Sequence, residues 1–235
     1  VTFSGVTLSG LVGQNYVLRF SSNPTLTVAD SSNVTVSGGA PSQLLLSSIG
    51  TQTAGVGFGV TVTLADAQGN AVNNSGAAGT VTLTVKTGSG VLGGTVSEVI
   101  PVGQSSVTLS RVTYTRAESG VVLTATGSGN GSSVTGKSRD SNGFTVGAGA
   151  ASQLAVLTQP VGGPSGAALT TQPVVSIRDL NGNTVTGDNT TVVSVSIVSG
   201  TGGSLGTTQT TTAVGGVVTF SGVTLSGLVG QNYVL

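Results

Sequence analysis

The chain has 235 residues and a formal net charge of zero, with 6% charged and 3% aromatic residues, 39 glycines, and no cysteine, methionine, tryptophan or histidine. Balanced charge without a basic cluster argues against nucleic acid, because neutralising phosphates requires a surplus of Lys and Arg on one face. Without His or Cys there is no Ser-His-Asp or Cys-His nucleophile, no thiolate or imidazole zinc site and no disulfide.

A disordered chain is poor in β-branched residues and rich in charge, whereas this one is rich in Val and Thr, so a folded β protein is expected. No apolar run reaches the roughly 18 to 20 residues of a bilayer-spanning helix. The mean hydropathy of +0.37 comes from valines dispersed among Thr, Ser and Gly, so no membrane span is expected here. The segment carries no charged-then-apolar leader, and any anchor is expected outside it.

In chain order, residues 1–18 read VTFSGVTLSGLVGQNYVL, and residues 218–235 repeat these eighteen letters without change. The text therefore returns after 218 − 1 = 217 positions, as in a window on a longer repeat. Tyr16 to Phe20, Leu26 to Val28 and Val34 to Val36 are predicted strands separated by Ser/Asn turns. A new unit opens at Ala40-Pro41-Ser42-Gln43-Leu44. Its counterpart Ala150-Ala151-Ser152-Gln153-Leu154 follows 154 − 44 = 110 residues later, which leaves about 107 residues for the second unit.

The two units align. Val62 to Asp66 followed by Ala67-Gln68-Gly69-Asn70 matches Val175 to Asp179 followed by Leu180-Asn181-Gly182-Asn183: a strand ending on Asp, then a turn. Val81, Leu83 and Val85 alternate with Thr as Val193, Val195 and Ile197 alternate with Ser, the pattern of half-buried antiparallel strands. Gly90 to Thr95 answers Gly202 to Thr207, a glycine-rich bend whose single Leu is expected to plug one end of the core. Val107 to Tyr114 answers Val218 to Leu225. Helix is disfavoured by the Gly, Thr, Ser and Val content and by the lack of helical spacing. The expected class is all-β, with sandwiches of about seven strands; a β-solenoid would repeat every 20 to 30 residues.

The succession ASQL, QPVVSIRDLNGNTV, GSLGTT, VTFSGVTLSG and a Tyr-bearing strand resembles the bacterial Ig-like, invasin- or filamin-like tandem repeats of giant cell-surface or secreted proteins. The resemblance covers the whole chain. It implies tandem sandwich modules placed end to end: 1–39 as the C-terminal part of a preceding module, 40–149 as a complete module, and 150–235 as the N-terminal part of a module completed by the next repeat. It further implies an extracellular or surface location and a structural role in a fibre or stalk, without catalysis or cofactor. The partners would be neighbouring repeats and identical chains. The first unit departs from the pattern with Leu109 in place of the Phe of VTF, and carries Arg111, Arg116 and Glu118 nearby.

Chemistry-bearing candidates are few. The seven acids are dispersed, and no carboxylate pair is close in sequence except Asp179 and Asp188. Asp179-Leu180-Asn181-Gly182-Asn183 begins like a calcium loop, but Thr184 and Thr190 stand where Gly and Glu are required. Turn chemistry is the simpler reading; Asp179, Asn181, Asn183 and Asp188 are the calcium alternative. Lys86 and Lys137 are candidates for Lys–Asn cross-links, though no acid is evident beside Lys86 and a solvated strand end explains it. Asn73 and Asn189, in predicted turns, are the glycosylation candidates. Tyr16, Tyr114 and Tyr233 are expected in or near the core. Two rivals to the stalk reading remain: a carbohydrate- or cell-surface-binding module, and a non-covalent filament in which residues 1–40 complete 151–235 of the next subunit by strand addition. The identical copy at 218–235 would compete with such a donated strand.

Overall fold

The computed structural model describes residues 1–206 and 210–235; it is all-β, with twenty-one strands and no helix among the described residues. Thr207 and Thr208 of the second glycine-rich bend lie outside the described residues.

The central region, 43–147, holds ten of these strands in two sheets. One is ordered Gln43–Leu46, Phe58–Ala65, Ser106–Tyr114, Leu92–Gly94. The other is ordered Ser97–Ile100, Gly79–Thr87, Glu118–Ser128, Phe144–Gly147, Gln52–Thr53, with Ser138–Asp140 also on Glu118–Ser128. The Val/Thr alternation places one face of each strand inward, so Val60, Val62 and Leu64 from one sheet meet Val81, Leu83 and Leu123 from the other in one core. Each such side chain contributes about 1.5 to 3 kcal/mol by burial. The strand count exceeds the expected seven because short segments read as bends also pair. Leu92–Gly94 is a strand, with Leu92 opposite Tyr114. The last strand runs parallel to an early one, Val146 beside Gln52 and Gly147 beside Thr53.

The C-terminal region repeats this framework in reduced form. Gln153–Thr158, Val174–Arg178 and Val217–Thr219 form a sheet in which Leu154 faces Ile177 as Leu44 faces Leu64, and Val218 faces Val175 as Val107 faces Val62. Leu205 pairs with Leu225 as Leu92 pairs with Tyr114. A smaller core forms around Val175, Ile177, Val193, Val218, Phe220 and Val223. The predicted long strand through Ile197 is only Val192–Ser194, paired with Thr210–Thr212 on one edge. Its counterpart Gly79–Thr87 is held on both edges, and that second partner explains the difference in length. The inner face is also less covered: Leu154 is 55% exposed, where Leu44 is fully buried.

Among the described residues, the strands within 1–39 pair only with one another: Asn15–Tyr16 with Val34–Thr35, and Arg19–Phe20 with Ala29–Asp30. The predicted strand at Leu26 to Val28 starts only at Ala29, which pairs with Phe20, and Leu26, 68% exposed, has no strand partner among the described residues. This hairpin copies one in the central region. Leu18 N–H donates to Ser31 Oγ at 2.9 Å and Ser31 N–H returns a bond to Leu18 O at 2.8 Å. Leu123 and Ser141 exchange the same two bonds at 3.0 and 2.8 Å.

Candidate functional site

The two Asp-to-Asn turns close on themselves in the same way and then reach back to grip the linker. In each, the strand ends on a buried Asp, and a glycine with positive φ, Gly69 at 87° or Gly182 at 84°, lets the chain reverse. Asp66 Oδ1 accepts from Gln68 N–H at 3.0 Å and Asn70 N–H at 2.9 Å, and Oδ2 accepts from the Asn70 amide at 3.1 Å. Asp179 does the same with Asn181 N–H at 2.9 Å, Asn183 N–H at 2.8 Å and the Asn183 amide at 2.9 Å. The fourth donor is distant in sequence. Gly39 N–H meets Asp66 Oδ2 at 3.0 Å, and Gly149 N–H meets Asp179 Oδ2 at 2.8 Å. Gln43 and Gln153, the Gln of each opening motif, donate to the Asp66 and Asp179 carbonyls at 2.7 and 2.8 Å.

Four donors on one carboxylate favour its charged form. The Gly39 N–H, helped by Asn70 and Gln68, holds the Asp66 carboxyl below its ordinary range. Burial pushes Asp179 upward, but the Asn183 amide and the N–H groups of Gly149, Asn183 and Asn181 outweigh it and leave the group lowered. The linker is also closely fitted. A side chain on Gly39 would press on Asp66, and one on Gly149 would press on the Ala54 carbonyl and Asp179.

The second turn additionally bridges two regions. The Asn183 amide donates to Thr115 O at 2.8 Å, and its Oδ1 accepts from Ala117 N–H at 2.9 Å. A polar cleft of about 740 Å³ overlies this contact, bordered by Arg116, Glu118 and Asn181. Glu118 is brought down to about 2 by the Tyr114 hydroxyl first and then by Ser89 N–H. Burial, reinforced by Glu118, raises Tyr114.

The tyrosines explain the glycine-rich bends. Tyr114 is fully buried, and a Cβ on Gly90 would lie 2.6 Å from its ring. A Cβ on Gly203 would lie 2.4 Å from the Tyr233 ring, so both bends make a seat for an aromatic ring, although Tyr114 ends the strand Ser106–Tyr114 and Tyr233 lies outside any strand. Tyr16 and Tyr233 are half-buried, and their hydroxyls accept from Leu11 N–H at 3.0 Å and Leu228 N–H at 2.8 Å.

Of the calcium candidates, Asp179 and Asn183 turn their oxygens toward N–H donors, as above. Asp188 sits apart in its own turn, accepting from Thr190 N–H at 3.0 Å and Thr191 N–H at 2.9 Å. Asn181 directs its amide toward Gly55 of the central region. No group of three or more acidic side chains that could hold a metal occurs among the described residues. Asn73 and Asn189 are both exposed, and Asn189 Oδ1 accepts from Gly215 N–H at 2.8 Å. Lys86 has a partner that sequence distance concealed: an exposed ion pair with Asp140, which also accepts from Thr124. The linker grip was likewise missed. Its signal was the joint recurrence of a Gly before each opening motif, the Gln within it and the Asp of the turn.

No family model matches the chain, and no curated protein matches it. Among solved structures it is similar to domains 4–9 of the surface layer protein SbsC, a loose superposition at 20% identity and a TM-score of 0.31 over 88% of this chain. The chain spans 33% of the length of that structure.

Proposed function

We propose that the chain is a structural repeat of an extracellular or cell-surface array, built of tandem Ig-like modules and without catalysis. Residues 1–39 are read as the C-terminal part of one module, 40–149 as a complete module, and 150–235 as the N-terminal part of a third. One observation carries this reading: the linkers at Gly39 and Gly149 are gripped by the same four-donor Asp knot. An enzyme or ligand-binding protein has no need to repeat a linker contact. An end-to-end array needs each junction to adopt one angle, and the bonds from Asn183 to Thr115 and Ala117 serve that end.

Strands rising about 3.3 Å per residue give each module a length on the order of 35 Å, and each 217-residue period about 70 Å. Electron microscopy of the native assembly is expected to show that axial spacing in straight segments, with the Asn183→Ala variant visibly more bent at alternate junctions. Modules folded side by side, without an axial period, would exclude the reading.

A further inference from the structure

Asparagine followed by glycine occurs three times, at Asn130-Gly131, Asn142-Gly143 and Asn181-Gly182. Asn is a thermolabile residue, because the backbone nitrogen that follows it can attack its side-chain amide carbon. A glycine in that place removes the Cβ that would obstruct the approach and lets the backbone bend to it. Two freedoms are then needed. The amide must be able to turn toward the nitrogen, and the nitrogen must be free of other bonds.

Asn142 lacks the first. Its Oδ1 accepts from Ile49 N–H at 2.9 Å and its amide donates to Ile49 O at 2.8 Å, so the side chain serves Ile49 as a strand partner would. Asn181-Gly182 lacks the second. Gly182 N–H donates to Asp179 O at 3.0 Å, and the buried Asp179 carboxylate holds Asn181 N–H at 2.9 Å, so closing a ring there would open the knot that grips Gly149. Asn130 has both freedoms. It is exposed in the turn after Glu118–Ser128, and neither its side chain nor Gly131 N–H has a hydrogen-bond partner among the described residues. Gly131 is exposed too, with φ at 73°, and the nearest atom to a Cβ placed on it is the Ala77 Cβ at 3.8 Å.

We propose that Asn130 is a site of spontaneous deamidation and isoaspartate formation, and that the fold directs this modification to Asn130 and away from Asn142 and Asn181. The Gly131 nitrogen bonds to Asn130 Cγ, the bond from Cγ to the amide nitrogen breaks, and that nitrogen leaves as ammonia with the proton Gly131 gives up. A succinimide ring results. Water then opens it: addition at the side-chain carbonyl gives Asp, and addition at the main-chain carbonyl gives isoaspartate, whose backbone runs through the former side-chain methylene. Water is the only reagent consumed.

The change is transmitted inward. Gly131 O accepts from Ala77 N–H at 3.1 Å, and the next two residues are fastened to the buried Asn74, whose Oδ1 accepts from Ser132 Oγ at 3.2 Å and Ser133 N–H at 3.0 Å. Asn74 in turn donates to Ala77 O and Ile100 O. An extra backbone carbon at residue 130 lengthens the turn against these fixed points. Conversion to Asp alone adds a negative charge to a chain of zero formal net charge but breaks no bond.

Cleavage after Lys and Arg puts the three pairs on separate peptides, 117–137, 140–178 and 179–235. The intact folded chain is aged in mildly alkaline buffer, the exchange of NH2 for OH on each peptide is followed by mass, and isoaspartate is read by enzymatic methyl labelling. Peptide 117–137 is expected to convert at least about tenfold faster than the other two, since at each protected pair hydrogen bonds must open first. In denaturant the three rates should draw together. The acidic species on isoelectric focusing should be missing from Asn130→Gln. The isoaspartate form should melt below the Asn130→Asp variant, which carries the same charge on an unlengthened backbone; equal melting would overturn the transmission to Asn74. Equal rates at the three pairs in the folded chain, an inert Asn130, or the same ordering in denaturant as in the folded state overturns the inference.

Discussion

The same eighteen residues occur at both ends of the chain and meet different fates. In the C-terminal copy Val218, Phe220 and Val223 are 0%, 2% and 1% exposed; in the N-terminal copy Val1, Phe3 and Val6 are 116%, 68% and 67% exposed. Yet the loop that follows is unchanged. Tyr16 and Tyr233 fold back over Gly10 and Gly227 and accept the amide protons of Leu11 and Leu228 in the same way. Local hydrogen bonding over five residues is therefore fixed by the stretch itself. Strand formation at its start depends on Val174–Arg178 being present beside it. The apolar face encodes a demand for a partner.

The strongest way to break this comparison is to truncate the same ring twice. Phe220→Ala is expected to destabilise the C-terminal region by about 3 to 5 kcal/mol, a cost typical of an emptied core site. Phe3→Ala should change stability by no more than about 0.5 kcal/mol. Chemical denaturation of both variants reads the difference, and equal losses would mean that the N-terminal copy is packed in solution.

A smaller effect tests the shared loop. Tyr16→Phe and Tyr233→Phe should each speed amide exchange at Leu11 or Leu228, at about 1 kcal/mol of local stability. The Tyr233 variant should cost slightly more, since that hydroxyl also donates to Thr201 O at 3.1 Å.

The smallest effect sharpens the contrast with the central region, where Glu118 stands near the position that the duplicated stretch fills with Val12 and Val229. Its folded carboxyl is lowered from 4.5 to about 2, so its contribution is complete above 4.5 and fades as the pH falls toward 2. Thermal melts of wild type and Glu118→Gln should therefore differ most near neutral pH and converge in acid. A constant gap across that range would exclude the linkage.

Much of the central fold is legible in the alternation of Val with Thr, because period two and one buried face are local properties. Val60 to Leu64 and Val81 to Leu83 lie where their spacing puts them. Leu26 to Val28 has a similar propensity but no strand opposite it, so propensity alone overestimates it. The Asp turns were readable as turns from Asp, Gly and Asn together. Their grip on Gly39 and Gly149 was not, since the partners lie 27 and 30 positions apart and only the folded first hairpin brings them together. The ion pair of Lys86 with Asp140 is hidden for the same reason, across 54 residues.

The parallel pairing of Phe144–Gly147 with Gln52–Thr53 sets how the central unit would respond to being pulled. Strands that point the same way, one near each end of the unit, slide past one another when the ends are drawn apart. Their cross-strand bonds are then loaded in shear and must give way together, whereas antiparallel neighbours pulled from one end unzip bond by bond. The gripped linker glycine adds to this by delivering force to the root of the first strand, and the unit is arranged to resist extension along the chain more than peeling across it.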